Sequence, residues 1–230
     1  MISIIGRDKE INLINTLMQQ RKNIIVFGEE GVGKSTIIQR ILSDKNENIL
    51  HVQKNGTLRE TLIGIAMAGL QHSSAIENLN ILALKKKCYA IIDKAPIYIV
   101  LDHMGRVEPK HYTFLIYLLE KNIHLLVISR GLDKKCIGHL RMALYGFEKV
   151  EIKNLDRAAS NNLTDYFMKE FGIKVTKEAE FKQAIFDYSG GNPKIIKGLC
   201  FLARDVKYQK NEAIDVKLMD LDRRISEAVH

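Results

Sequence analysis

The stretch "NIIVFGEEGVGKST", residues 23–36, decides how the rest of the chain is read. Its first five residues, "NIIVF" at 23–27, have the length and apolar centre of a short buried strand. They run directly into Gly28, Gly31, Gly33, Lys34 and Ser35, spaced as G-x-x-x-x-G-K-[ST]. A bound polyphosphate calls for those residue types at that spacing. Glycines let the backbone turn tightly, with its N–H groups aimed inward at phosphate oxygens. Val32 and Thr36 contribute further backbone to the cradle. Lys34 can reach the β- and γ-phosphates, and the Ser35 hydroxyl can hold Mg2+. A helix beginning at Lys34, "KSTIIQRILS" at 34–43, adds its positive end to the same anion site. Glu29 and Glu30 occupy the variable positions, where the backbone faces phosphate and the side chain can face solvent.

Outward from this loop, the hydrophobic pattern alternates strand and helix. "KEINLINTLMQQ" at 9–20 places Ile11, Ile14, Leu17 and Met18 on one helical face. "ILHV" at 49–52 predicts a strand, and two helical stretches follow at about 58–70 and 76–93. "IYIVL" at 97–101 and "HLLVIS" at 124–129 predict buried strands, with Pro109 opening a helix between them. A helix near 132–144 and a strand "KVEI" at 149–152 complete this half. Three of the strands are almost uninterrupted apolar runs, the pattern of strands covered on both faces, as in a parallel sheet flanked by helices.

From Asp156 onward the strand signal stops. "RAASNNLTDYFMKEFG", "KEAEFKQAIFDYSG", "PKIIKGLCFLARDVK" and "VKLMDLDRRISEAV" all read as helices. The expected fold class is therefore α/β: a parallel five-stranded P-loop NTPase sheet flanked by helices, followed by a small all-α lid. The expected domains are an α/β core at 1–154 and a helical lid at 155–230.

In "PIYIVLDHMG", residues 96–105, the third apolar strand ends in Asp102. A carboxylate at a strand end is what a Mg2+–triphosphate needs, although Asp also commonly caps a following helix. An enzyme that hydrolyses nucleotide would often place a second acid next, and here the next residue is His103. A neutral imidazole can act as a base, while the potential of a polyphosphate favours the imidazolium, which cannot accept a proton. Slow hydrolysis is expected on this ground. A His103 that only packs or caps the turn is the other reading.

Composition bounds the rest. Hydrophobic residues make up 46% and charged residues 27%, ordinary values for a globular chain. No apolar run approaches the roughly 18 residues that span a bilayer. "MISIIGRDKE" lacks the charged-then-apolar pattern of a signal peptide. Cys88, Cys136 and Cys200 are far apart and form neither metal spacing nor a disulfide framework, so a cytoplasmic location is expected. The net charge of +8 favours polyanions, which includes a nucleotide as well as nucleic acid. Lys85-Lys86-Lys87 reads as a solvated helix face or a DNA-facing patch, and no zinc-finger or RNA-binding signature is present.

Several short motifs together resemble the AAA+-related STAND switch ATPases and the origin-recognition ATPases. "IIGRDKEI", with Ile5, Gly6 and Arg7, is similar to the segment that in those proteins precedes the P-loop and lies against adenine. Arg7 could equally make a helix-entry salt bridge. "LLVISR" resembles the family's sensor strand, which implies that Arg130 reads the γ-phosphate; a surface arginine at a strand end is the plain alternative. "YSGGNPKIIKGL" resembles the lid motif in which Pro193 meets the base, and Lys194 falls where relatives carry a second sensor arginine. Arg141 stands where such proteins often carry an arginine finger for a neighbouring subunit, although a helix-surface arginine is the commoner role. The resemblance spans about 3–205 and implies an ASCE-type sheet with the sensor strand between the P-loop strand and the Asp102 strand.

The chain departs from that pattern in three ways. The acid after Asp102 is absent, no winged-helix, repeat or effector segment follows the lid within these residues, and Lys194 replaces arginine.

Three functions fit. The first is an ATP/ADP- and Mg2+-binding conformational switch with slow ATP hydrolysis. The second is an ATPase that assembles on duplex DNA with ATP, as a homo-oligomer. The third is a non-hydrolysing nucleotide-binding module acting through a protein partner. Transfer of phosphate to a small molecule fits less well, because such an enzyme usually needs its own acceptor pocket and lid arginines, and the lid here reads as a helical bundle rich in acids and lysines. No guanine signature of the N-K-x-D type is present.

Overall fold

The computed structural model describes residues 4–43, 49–70, 76–94, 98–210 and 213–229. Asp8–Gln19 (α1) leads into Asn23–Phe27 (β1), Lys34–Ser43 (α2) and Ile49–Val52 (β2). Leu58–Leu70 (α3), Ile81–Ile92 (α4), Tyr98–Leu101 (β3), Pro109–Glu120 (α5), His124–Ser129 (β4), Lys134–Ile137 (α6) and Phe147–Glu151 (β5) follow. The five strands form one sheet in the order β2-β3-β4-β1-β5, and every neighbouring pair is parallel. β4 therefore lies between the strand that enters the glycine loop and the strand that ends at Asp102.

The sheet's centre is where the apolar runs are. Ile24, Ile25 and Val26 of β1, all of β3, and Leu125–Ser129 of β4 are buried. The edge strand β5 differs, with Phe147 and Val150 buried and Glu148, Lys149 and Glu151 exposed. Charge on an edge strand deters pairing with another chain. Tyr98, Ile99, Val100 and Leu101 illustrate the energetic logic: each buried side chain of this size contributes about 1.5–3 kcal/mol relative to exposure.

The chain divides into two compact units. One comprises Asp8–Glu29 and Lys34–Ile152, and holds the sheet. The other comprises the described parts of Met1–Arg7, Glu30–Gly33 and Lys153–His230. In it, Arg157–Phe171 (α7), Glu178–Ser189 (α8), Pro193–Leu202 (α9) and Val216–Val229 (α10) enclose a core that includes Phe181, Ile185, Ile196, Leu199 and Met219. Asp156 caps α7 by accepting a hydrogen bond from the Ala159 N–H, a contact worth about 0.5–2 kcal/mol in such positions.

Four local expectations need correction. The helix expected at 76–93 begins only at Ile81, because Asn80 caps it through the Ala83 N–H. The helix expected near 132–144 ends at Ile137. Gly138 follows with φ 55° and ψ −128°, and a Cβ there would lie 2.4 Å from the Val107 carbonyl oxygen. Only glycine fits that backbone approach, and the chain continues as a 3-10 helix over His139–Gly146.

The fifth strand starts at Phe147, two residues before the expected 149, and its last residue is Glu151. The helix beginning at Pro193 stops at Leu202, where a 3-10 turn and an antiparallel strand pair, Gln209–Lys210 (β6) and Ala213–Ile214 (β7), intervene. Two-residue strands carry no readable period. Ile97, the first residue of the expected third strand, lies outside the described residues. No described helix is long and apolar enough to cross a membrane.

Candidate functional site

In the sheet-bearing unit, β1 delivers the chain to Gly28 and α2 opens at Lys34. The Lys34 ammonium donates to the carbonyls of Gly28 and Glu29, both at 2.7 Å. Lys34 is thus folded against its own loop, its charge offset by carbonyl dipoles while the residue stays buried. Ser35, the next residue of α2, donates from Oγ to Asp102 Oδ1 at 3.0 Å. These two residues lie 67 apart in sequence. Only the strand order brings them together, because β1 and β3 are both neighbours of β4. Arg130 immediately follows β4 and is exposed. It therefore sits at the carboxyl end of the sheet, where ligands bind in open parallel sheets.

Asp102 is held firmly along its backbone. Its N–H donates to the Val52 carbonyl at 2.9 Å, carrying the β2–β3 ladder one step past the strand. Its carbonyl accepts from Asn55 Nδ2, which also donates to the Val52 carbonyl. The carboxylate then meets His51, whose Nε2 is 3.9 Å from Oδ2. Burial holds the His51 imidazole below its ordinary pKa, and the Asp102 charge pulls weakly the other way. Two buried atoms here have no hydrogen-bond partner among the described residues: His51 Nε2 and Asn55 Oδ1.

His103 stands on the solvent side of the same carboxylate. Its side chain is 73% exposed, its Nδ1 is 3.6 Å from Asp102 Oδ1, and its backbone has φ 55°. That left-handed conformation is uncommon outside glycine, though histidine is among the residues that adopt it. The position after Asp102 thus holds an imidazole open to water.

Ser35 Oγ and the Asp102 carboxylate are hard oxygen donors of the kind Mg2+ prefers, and they already meet. The residues present fit a Mg2+–nucleotide on that account. Among the described residues no cluster of three His, Cys, Asp or Glu side chains could hold a metal by itself, so the phosphates and water would have to complete the coordination.

In the other unit, Glu30–Gly33 is clasped by two elements. The Arg7 guanidinium is buried and donates to the carbonyls of Val32, at 3.0 Å, and Lys153, at 2.6 Å. Arg7 therefore reaches the glycine loop through its backbone. Ile5 is half-buried, and Gly6, at φ 71°, lets α7 approach until an added Cβ would lie 2.5 Å from the Ala159 side chain.

From α9, Asn192 Nδ2 donates to the Glu30 carbonyl at 2.9 Å, and the Lys194 N–H donates to the Gly31 carbonyl at 3.1 Å. Pro193 occupies the first helical turn between them. Lys194 Nζ also pairs with Glu30 Oε1 at 2.8 Å, on an exposed surface where such pairs contribute about 0–1 kcal/mol. Gly31 permits the contact: its φ is +84°, and a Cβ would sit 2.6 Å from Asn192 Oδ1. Gly33 has φ +95°, Val32 is buried and Thr36 is exposed.

Arg141 stays apart. It lies exposed on the 3-10 helix beyond Gly138 rather than in a continuous helix, and is not among the residues that meet at Asp102. Sequence reasoning missed three residues. Asn192 carried a readable signal, since Asn before Pro at a helix start marks a cap. His51 and Asn55 carried none, because their place beside Asp102 depends on strand pairing.

No protein-family model matches the chain, and no curated protein sequence matches it. Among solved structures, a Walker-type ATPase of Pyrococcus abyssi is similar over 98% of this chain and 74% of its own, with a TM-score of 0.67 and 12% identity. The fold is that of a P-loop NTPase. At that identity the likeness concerns architecture alone.

Proposed function

We propose that this P-loop protein binds Mg2+–ATP and works as a nucleotide-dependent switch of the AAA+/STAND type with slow hydrolysis. One observation carries the reading: Ser35 Oγ meets Asp102 Oδ1 at 3.0 Å, one residue from the Lys34 ammonium. The loop amides and Lys34 bind the phosphates, and the Lys34 ammonium exchanges its carbonyl partners for phosphate oxygens. Ser35 and Asp102 would hold Mg2+, which supplies charge neutralisation at the β- and γ-phosphates when bound. Arg130, at the end of the strand beside both, would distinguish ATP from ADP by one anionic group. Slow turnover follows from His103: an exposed imidazole in a left-handed turn positions an attacking water less firmly than a fixed carboxylate.

The test is ATP-induced thermal stabilisation in Mg2+. The parent protein should gain several degrees with ATP, and Lys34→Ala should gain none. An equal gain in the variant would end the P-loop reading.

A second reading, an ATPase that assembles on duplex DNA, draws on one further observation. Exposed Arg106, Lys110, Lys134 and Lys135, with Glu108 and Asp133 among them, lie on two segments stapled by the Val107–Gly138 bridge. Such clustering favours a phosphate backbone. ATP-dependent duplex binding that weakens steeply with salt is the expected outcome. No binding at low salt would remove this reading. Turnover indistinguishable from zero would instead favour a nucleotide-binding module that acts through a protein partner.

A further inference from the structure

Asp102 has its backbone fixed on both sides, but among the described residues only one of its carboxylate oxygens accepts a hydrogen bond, from Ser35 to Oδ1. The terminal torsion of an aspartate is broad and roughly two-fold, so a carboxylate pinned at one oxygen can still swing. The other oxygen, Oδ2, faces the buried, unpartnered His51 Nε2 at 3.9 Å. The register explains why. His51 pairs with Val100, two residues before Asp102, so the side chains of 51 and 102 project from the same face of the sheet. The gap is longer than a hydrogen bond, yet a small change in either torsion closes it. A buried polar atom without a partner is destabilising, which gives the imidazole reason to find one.

We propose that His51 is a positioning residue for the metal carboxylate: its Nε2–H takes Asp102 Oδ2, so that Oδ1 remains with Ser35 Oγ as the oxygen pair offered to Mg2+. The proposal rests on the Mg2+–ATP reading above and deepens it. His51 touches neither nucleotide nor water in this role. It acts through Asp102, as the outer partners of metal-bound carboxylates do. Asn55 does the corresponding work on the backbone, holding the Asp102 carbonyl to the end of β2.

The test compares the parent protein with His51→Leu, which cannot donate, and His51→Gln, which can. ATP-induced stabilisation is followed while Mg2+ is titrated, and ATP binding is measured separately in EDTA. His51→Leu should raise the Mg2+ concentration for half-maximal stabilisation about tenfold, the lower end of what loss of such partners costs. Metal-free ATP binding should stay within about twofold, and His51→Gln should recover most of the Mg2+ response. An unchanged Mg2+ requirement in His51→Leu, or a His51→Gln protein as impaired as His51→Leu, overturns the proposal. Should His51→Leu fail to fold, His51→Ala serves with the same readout. A parent protein that ignores Mg2+–ATP would instead defeat the nucleotide reading, and this one with it.

Discussion

Asn192 serves two elements at once: its Nδ2 donates to the Glu30 carbonyl of the glycine loop at 2.9 Å, and its Oδ1 caps α9 through the Lys194 N–H at 3.1 Å. A helix cap alone would be replaceable by Asp or Ser. The amide adds a donor, and that donor holds the Glu30 carbonyl of the loop. Asn192→Asp should therefore keep the cap but lose the loop contact. The expected result is stability within about 1 kcal/mol of the parent and a measurably weaker response to ATP. Asn192→Ala should lose both, costing about 1–3 kcal/mol by urea unfolding.

Gly31 should not tolerate a side chain. Its φ of +84° and the 2.6 and 2.7 Å approaches of Asn192 Oδ1 and Lys194 Cβ leave no room for a Cβ. Gly31→Ala should lower stability by about 1–3 kcal/mol and abolish ATP-induced stabilisation together. Calorimetry with and without ATP reads both effects; Lys34→Ala should also lose the ATP response, together with its hydrogen bonds to the Gly28 and Glu29 carbonyls.

His103 carries a separable prediction about strain and chemistry. With φ 55°, His103→Gly should shift stability by less than about 1 kcal/mol, because relief of the left-handed backbone is offset by chain entropy. A β-branched His103→Val should be the worse substitution at the same site, by about 1–2 kcal/mol. Turnover is the second readout. His103→Glu should raise ATP hydrolysis if the missing acid limits the rate, and an unchanged rate would place the water's orientation elsewhere.

Acid should destabilise the sheet-bearing unit in a defined window. His111 of α5 is buried, with Nε2 2.9 Å from Thr61 Oγ1 and Nδ1 unpartnered. Burial pushes its pKa down from 6.5 to about 4, against a smaller upward pull from Glu60. The unfolded chain thus takes up this proton first. The stabilisation is complete above pH 6.5 and is lost as pH falls toward about 4, by up to about 3 kcal/mol. His51 and His124, also held low by burial, add slope in the same direction. Urea unfolding between pH 7 and 4 should show this loss, and His111→Leu should flatten most of it. An equal slope in that variant would assign the effect to other groups.

How far the sequence could be read depended on the range of the signal. "NIIVF" and "HLLVIS" gave their strands residue for residue, because a short apolar run flanked by turn residues is a local property. The helix near 132–144 failed at Gly138, whose conformation answers to Val107, far away in sequence. The 76–93 helix failed at Asn80, where a cap competed with apolar periodicity and won. Lys34, Ser35 and Asp102 were legible as types, since a phosphate cradle imposes fixed spacing and a strand-end carboxylate follows an apolar run. That Arg7 and Asn192 grip the loop's carbonyls was not legible, because both bonds join segments distant in sequence.

The sequence by itself determined the loop, the five strands and the residue types that suit a magnesium polyphosphate, because glycine spacing and apolar runs act over a few neighbouring residues. Only the tertiary structure decided which of those types meet. Strand order set Ser35 against Asp102, and register put His51 beside the same carboxylate. Hydrogen bonds of a few ångströms between residues dozens of positions apart are fixed by how the chain packs, and no local pattern encodes them.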